Sequence, residues 1–181
     1  ETAFLVFRYF CTIFDNMLSD LEIILSSSYK KEMASYLYLH PENFEQLILF
    51  VFNRNDKLSW RSAWMIFSLM PNNDVRIQPH LKQLIDYLPN AGESLQRELL
   101  KIISKMEISE EYEAFLVNHC ISIWEQVNKS PSVRYHALKT VLRLTKKYPE
   151  LKSEIEYLIQ EHYVETLSPA IRKMLIKEIT N

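Results

Sequence analysis

The side chains best placed to do chemistry in this chain are cations, and they recur at a fixed interval. Lys101, Lys139 and Lys177 follow one another at 38-residue spacing. Arg97, Lys101 and Lys105 run i, i+4, i+8, as do Lys139, Arg143 and Lys147, so each trio lies on one face of a helix. Lys173 and Lys177 continue the series, and Arg61 and Arg134 stand near the starts of related segments. Two aromatic residues accompany them, Trp60 and Tyr135. A ladder of this kind can hold carboxylates or phosphates, and an exposed ring beside it can stack on a base.

Other chemistry finds little support. No HExxH, GxxxxGK[ST], GxSxG or CxxC pattern occurs. His40, His80, His119, His136 and His162 are scattered over different segments, so a metal site would need them to meet by tertiary coincidence. His119 and Cys120 are neighbours, but adjacent helical residues point about 100° apart and cannot form a Cys-His dyad alone. Cys11 and Cys120 lie far apart and are expected as free thiols in a reducing compartment. Glu110, Glu111 and Glu113 fall at a helix start, where carboxylates complement the dipole. No catalytic residue, metal or cofactor is expected.

The elements that must carry the ladder are helices. The chain has 181 residues and one glycine, Gly92, where average usage would give roughly a dozen. Tight hairpins, Rossmann units and phosphate loops all need glycine at positive φ, so they are excluded. Apolar residues at i, i+3, i+4 predict helices over 18–26, 29–39, 42–53, 58–70, 78–88, 93–106, 109–128, 131–147, 150–164 and 168–180. Prolines and polar residues punctuate the joints, as at Pro41, Pro71, Pro89, Pro131, Pro149 and Pro169.

These helices repeat in pairs. Phe44-Glu-Gln-Leu47-Ile48 returns 37 residues later as Leu81-Lys-Gln-Leu84-Ile85, and again as Ile155-Glu-Tyr-Leu158-Ile159. The second helices align too. Arg61, Ala63, Trp64, Ile66 and Phe67 match Arg97, Leu99, Leu100, Ile102 and Ile103 at 36 residues. That frame runs on through Ala137, Leu138 and Val141 to Leu175, Ile176 and Ile179. In this alignment Trp60 shares its position with Gln96, Arg134 and Arg172; it is expected either as an exposed ring or as packing at a helix start. Trp64 and Trp124 are expected in the core.

A two-helix unit cannot bury its apolar face alone, so the units must stack. The segment Ser132-Val133-Arg134-Tyr-His-Ala137-Leu138-Lys-Thr-Val141-Leu142 resembles the second helix of a HEAT repeat, with Trp60-Arg61-Ser-Ala63-Trp64 and Ala170-Ile171-Arg172 as looser versions. The resemblance, to HEAT/armadillo-type solenoids and in particular a small bacterial-type HEAT-like domain, implies an all-α fold. It would be a right-handed α-α superhelix of about five antiparallel helix pairs. A single domain over 1–181 is expected, with cap helices over 1–28 and repeats of about 37 residues over 29–181. The apolar stretch 3–14, at the core of residues 3–16, is interrupted by Arg8 and too short to span a bilayer. It lacks a signal peptide's basic start, so an amphipathic capping helix and a cytoplasmic protein are expected.

Charge then separates the two helix sets. The second helices carry twelve basic residues against Glu93, Glu98 and Glu178, whereas the first helices carry eleven acidic residues against Lys82 and Lys152. The net of −2 for the whole chain hides this division. In HEAT-like stacks the second helices generally line the concave side, so the resemblance implies a basic groove. The expected function is a non-catalytic module, monomeric or weakly dimeric and not membrane-bound, that binds an acidic protein or peptide there. The alternative is nucleic-acid binding, with Trp60 or Tyr135 able to stack. At fold level that resembles the HEAT-like DNA glycosylases of alkylation repair. Their catalytic aspartate has no counterpart, since no second helix contains an aspartate.

Overall fold

The computed structural model describes residues 19–180, and every regular element among them is helical. The capping helix expected over 3–16, with Cys11, lies outside the described residues. The chain divides into two compact units, Glu1–Leu69 and Met70–Asn181.

In the first unit α1 (Asp20–Ser27), α2 (Lys30–Leu39), α3 (Phe44–Phe50) and α4 (Asp56–Leu69) follow one another. The start of α1 is fixed by a capping box. The Ser19 hydroxyl accepts from the Glu22 N–H at 3.2 Å, and the Glu22 carboxylate accepts from the Ser19 N–H at 2.8 Å. Leu21, Leu25, Met33, Leu47, Ile48, Ala63 and Ile66 are buried and form this unit's core. Trp64, expected there as well, is only half-buried; the Lys30 ammonium lies 5.4 Å from its ring centroid.

The second unit holds α5 (Leu81–Tyr87), α6 (Glu93–Ser104), α7 (Glu110–Glu125), α8 (Pro131–Thr145), α9 (Lys152–Leu158), α10 (Glu161–Val164) and α11 (Pro169–Thr180). Three 3₁₀ turns, Gln78–His80, Leu88–Asn90 and Pro149–Leu151, join them. Each contains a proline, which has no N–H to donate and suits a tight helical start. Asn73 adopts φ 51°, a left-handed conformation that asparagine tolerates better than most residues. Its side-chain oxygen accepts from the Glu107 N–H at 2.7 Å, pinning the loop before α5 to the end of α6.

One helix is broken where the pattern reads as continuous. Residues 150–164 form α9 and α10 separated by Ile159 and Gln160. The Leu158 carbonyl is taken by the Trp124 indole N–H at 2.8 Å, and Tyr163 packs near that ring. A tertiary hydrogen bond has replaced a helical one.

The repeat frame decides the core. α8 packs on α7 and α6, and α11 packs on α8. Leu100, Ile103, Leu138 and Val141 are buried, as are Cys120 and Trp124 of α7. The corresponding residues of α11 differ: Ile176 is 61% exposed and Ile179 37%.

Leu138→Ala and Ile103→Ala should each lower stability by about 2–5 kcal/mol, the cost of a buried truncation with its cavity. Ile176→Ala, at the same frame position but exposed, should stay within about 0.5 kcal/mol. Urea unfolding of the three variants checks this. Losses below about 1 kcal/mol at both core sites would show that the frame is misaligned.

Candidate functional site

A helix leaves its last four carbonyls without intrahelical partners, and its C-terminus carries partial negative charge. Many of the ladder cations are spent on this deficit. In the second unit Arg143 donates to the Ser104 carbonyl at 2.7 Å and to Met106 at 3.3 Å, closing the end of α6. Lys105 donates to the Met70 carbonyl at 2.8 Å. Arg172 donates to the carbonyls of Leu167 and Glu165, just after α10. In the first unit Arg61 donates to the carbonyls of Leu25 and Ser28 at the end of α1.

Arg134 is the extreme case, at 0% exposure. Its three guanidinium nitrogens reach the Trp124 carbonyl at 2.8 Å, the Thr166 hydroxyl at 2.7 Å and the Tyr163 carbonyl at 2.6 Å. Its carbon lies 4.6 Å from the Trp124 ring centroid, a cation–π contact in a desolvated place. No carboxylate is used, because the helix ends supply the negative potential. Arg134 was expected on an open groove; it is an interior clamp. Gln96, its repeat equivalent, does the same with a neutral side chain, donating to the Leu88 carbonyl at 3.0 Å.

Four further cations meet carboxylates. Glu98, buried, accepts from Lys101 at 2.5 Å and Arg97 at 2.9 Å. Lys147 lies 3.2 Å from both Glu110 and Glu113, and the Tyr148 hydroxyl donates to Glu113 at 2.5 Å. Burial alone would raise the Glu113 carboxyl, but the Tyr148 and Lys147 hydrogen bonds hold it below the ordinary glutamate range. Lys139 pairs with Glu178 at 2.5 Å. That hydrogen bond lowers the Glu178 carboxyl and raises the Lys139 ammonium. Tyr135 donates its hydroxyl to the same carboxylate at 3.1 Å and is only 5% exposed. Its ring therefore offers no face to a base, a correction to its expected stacking role.

Beside these contacts lies a basic cleft of about 180 Å³ on the second-helix face, lined by Ser104, Lys139, Thr140, Arg143, Lys146 and Glu178. Three of its side chains are cationic and one is acidic. Lys146, Lys173 and Lys177 are exposed. In the sequence Glu98 and Glu178 counted only as minority charges and Glu113 as a helix-start carboxylate; none was paired with these cations, although Glu98 stands three residues before Lys101. Trp60, in the first unit, is half-buried, with its ring 6.2 Å from that of Trp64.

Among the described residues no group of three histidine, cysteine or acidic side chains is arranged to hold a metal ion. Cys120 is buried, and burial pushes its thiol up to about 12. His119 packs edge-on against Phe115 at 4.2 Å. Among the described residues no helix is long and apolar enough to cross a membrane.

A family profile described as a HEAT repeat domain matches residues 14–181. No curated protein and no solved structure matches the chain.

Two outcomes follow from the geometry. Arg134→Met should cost about 3–5 kcal/mol, because it strands two buried carbonyls, whereas Lys146→Met should stay within about 0.5 kcal/mol; chemical denaturation measures both. The second outcome concerns His136. Burial first, then the Lys101 charge, lowers its imidazole to about 4, against about 6.5 in the unfolded chain. Between these values the unfolded state binds a proton that the native state refuses, so stability should fall as pH drops from about 6.5 towards 4. His136→Asn should flatten the upper part of that slope, above about pH 5, in melting curves taken at successive pH values.

Proposed function

The chain belongs to the HEAT repeat family, whose members are generally protein-interaction modules and typically non-catalytic, and we propose that it holds an acidic protein segment at the cleft between α6, α8 and α11. The single observation that carries this reading is the cleft's imbalance: Lys139, Arg143 and Lys146 surround one carboxylate, Glu178. That carboxylate displays the chemistry a partner would bring. It accepts from the Lys139 ammonium and the Tyr135 hydroxyl together, and a glutamate or aspartate from outside can take the same donors. Arg143 holds the end of α6 and serves mainly as fixed positive potential. Lys146 is exposed and reaches solvent.

A half-exposed ion pair contributes only about 0–1 kcal/mol. Affinity therefore requires several carboxylates along the second-helix face, and it should fall as salt rises. Duplex nucleic acid would meet the same cations, but without an exposed Tyr135 ring to stack on.

Fluorescence anisotropy of a labelled glutamate-rich peptide, at several salt concentrations, tests the proposal. Lys139→Gln combined with Lys146→Gln should weaken binding about tenfold or more and flatten the salt dependence. Glu178→Gln should strengthen it by removing the internal competitor. Lys82→Glu, on a first helix where Lys82 pairs with Asp86 at 2.5 Å, should have little effect. Equal losses from Lys82→Glu would show a merely solvated surface, and tighter binding of a labelled duplex than of the peptide would replace this function with nucleic-acid binding.

A further inference from the structure

The second unit carries a groove of the opposite character among its first helices. Glu110, Glu113, Ala114 and Val117 stand at i, i+3, i+4 and i+7, on one face of α7. Across a groove of about 350 Å³ they meet Glu150 and Leu151, in the turn that leads into α9. A space of this size lies within the range of pockets that take a small organic group. Most of its surface is apolar, supplied by Ala114, Val117 and Leu151, and carboxylates stand beside that surface.

The chain itself shows what these carboxylates accept. The Lys147 ammonium lies 3.2 Å from both Glu110 and Glu113. Glu113 is spent on internal contacts: it is buried and also accepts from the Tyr148 hydroxyl at 2.5 Å. Glu110 is not, because it touches Lys147 through one oxygen and stays 80% exposed. Glu150 is exposed as well. Three carboxylates thus line a groove that has one cation, Lys147, bound at its edge. The surrounding helices add Glu111, Glu154 and Glu156, all exposed, so the potential there is negative.

The combination selects a ligand. A bare metal ion would use the carboxylates and leave the apolar wall idle, and among the described residues no group of three such side chains is arranged to hold one. An acidic segment would be repelled. A lysine side chain uses both parts, since its methylene stem can lie along apolar surface while its charged head stays in a wet, polar place. An ammonium is also the head group that Glu110 already holds.

We propose that this groove docks a lysine side chain from a basic segment of a partner protein. The stem lies on Ala114, Val117 and Leu151, and the ammonium sits between Glu110 and Glu150. The groove is separate from the basic cleft and draws a partner of opposite charge, so it stands without the cleft's function.

The probe is a labelled peptide of alternating lysine and serine, titrated against the full chain by fluorescence anisotropy. Saturable binding that weakens with salt is expected. Glu110→Gln combined with Glu150→Gln should weaken it about fivefold or more, the effect of losing two exposed ion pairs. Both side chains are exposed, so circular dichroism should not change. Ala114→Phe fills the groove from an exposed position and should weaken binding with every charge retained. A probe with diaminopropionate in place of lysine keeps the charge on a single methylene; it should bind at least about fivefold more weakly, through lost apolar contact. Glu154→Gln with Glu156→Gln should change affinity far less than the groove pair, and the cleft variant Lys139→Gln with Lys146→Gln should not weaken it. Absence of saturable binding, equal affinity for the two probes, or equal losses from the Glu154 and Glu156 changes would each overturn the proposal. Spermidine binding more tightly than the peptide would overturn it in favour of a free polyamine.

Discussion

The structure depends on a shortage that every helix creates at its own end. Short helices expose unpaired carbonyls in proportion to their number, and a chain of α-hairpins has many ends close to its core. Here the donors come from the next layer: Arg61 serves the end of α1, Arg134 the ends of α7 and α10, and Arg143 the end of α6. A buried guanidinium normally needs a carboxylate. Arg134 does without one because two helix ends, a hydroxyl and the Trp124 ring together replace its lost water. The same contacts fix the register of one helix against another, since a fork of donors reaches two carbonyls only at one offset.

This constraint explains the division of charge between the two helix sets. Second helices are basic partly because their cations point at carbonyl ends and at the buried Glu98, not because all of them address a partner. The cations left outside these internal contacts are fewer than the ladder suggests: those around the cleft of Lys139, Arg143 and Lys146, and the exposed lysines of α11. Glu178 links the two, belonging to α11 while accepting from the Tyr135 and Lys139 donors of α8.

The legibility of the site followed the range of the forces involved. The i, i+4, i+8 spacing placed the cations on common faces, and the 38-residue interval placed Lys101, Lys139 and Lys177 in one frame. Neither spacing distinguishes a side chain aimed at solvent from one turned towards a neighbouring backbone. Backbone carbonyls have no signature in the sequence, so the occupation of Arg134 and Arg143 was invisible. The burial of Tyr135 was hidden for the same reason, because its partner Glu178 lies 43 residues away.

By itself the sequence determined the all-helical class, the positions of most helices and the two-helix repeat. These depend on short-range rules: near absence of glycine, apolar periodicity, and proline at the joints. Tertiary structure alone decided three things. It broke 150–164 into α9 and α10, where the Trp124 indole captured the Leu158 carbonyl. It buried Leu138 and exposed Ile176, although the two are equivalent in the repeat, because burial depends on what stacks above a residue. It also sorted the cations into clamps, ion pairs and exposed lysines. For Arg61, Lys105, Lys139, Arg143 and Lys147 that choice rests on distances of a few ångströms to residues more than thirty positions away, which no local pattern encodes.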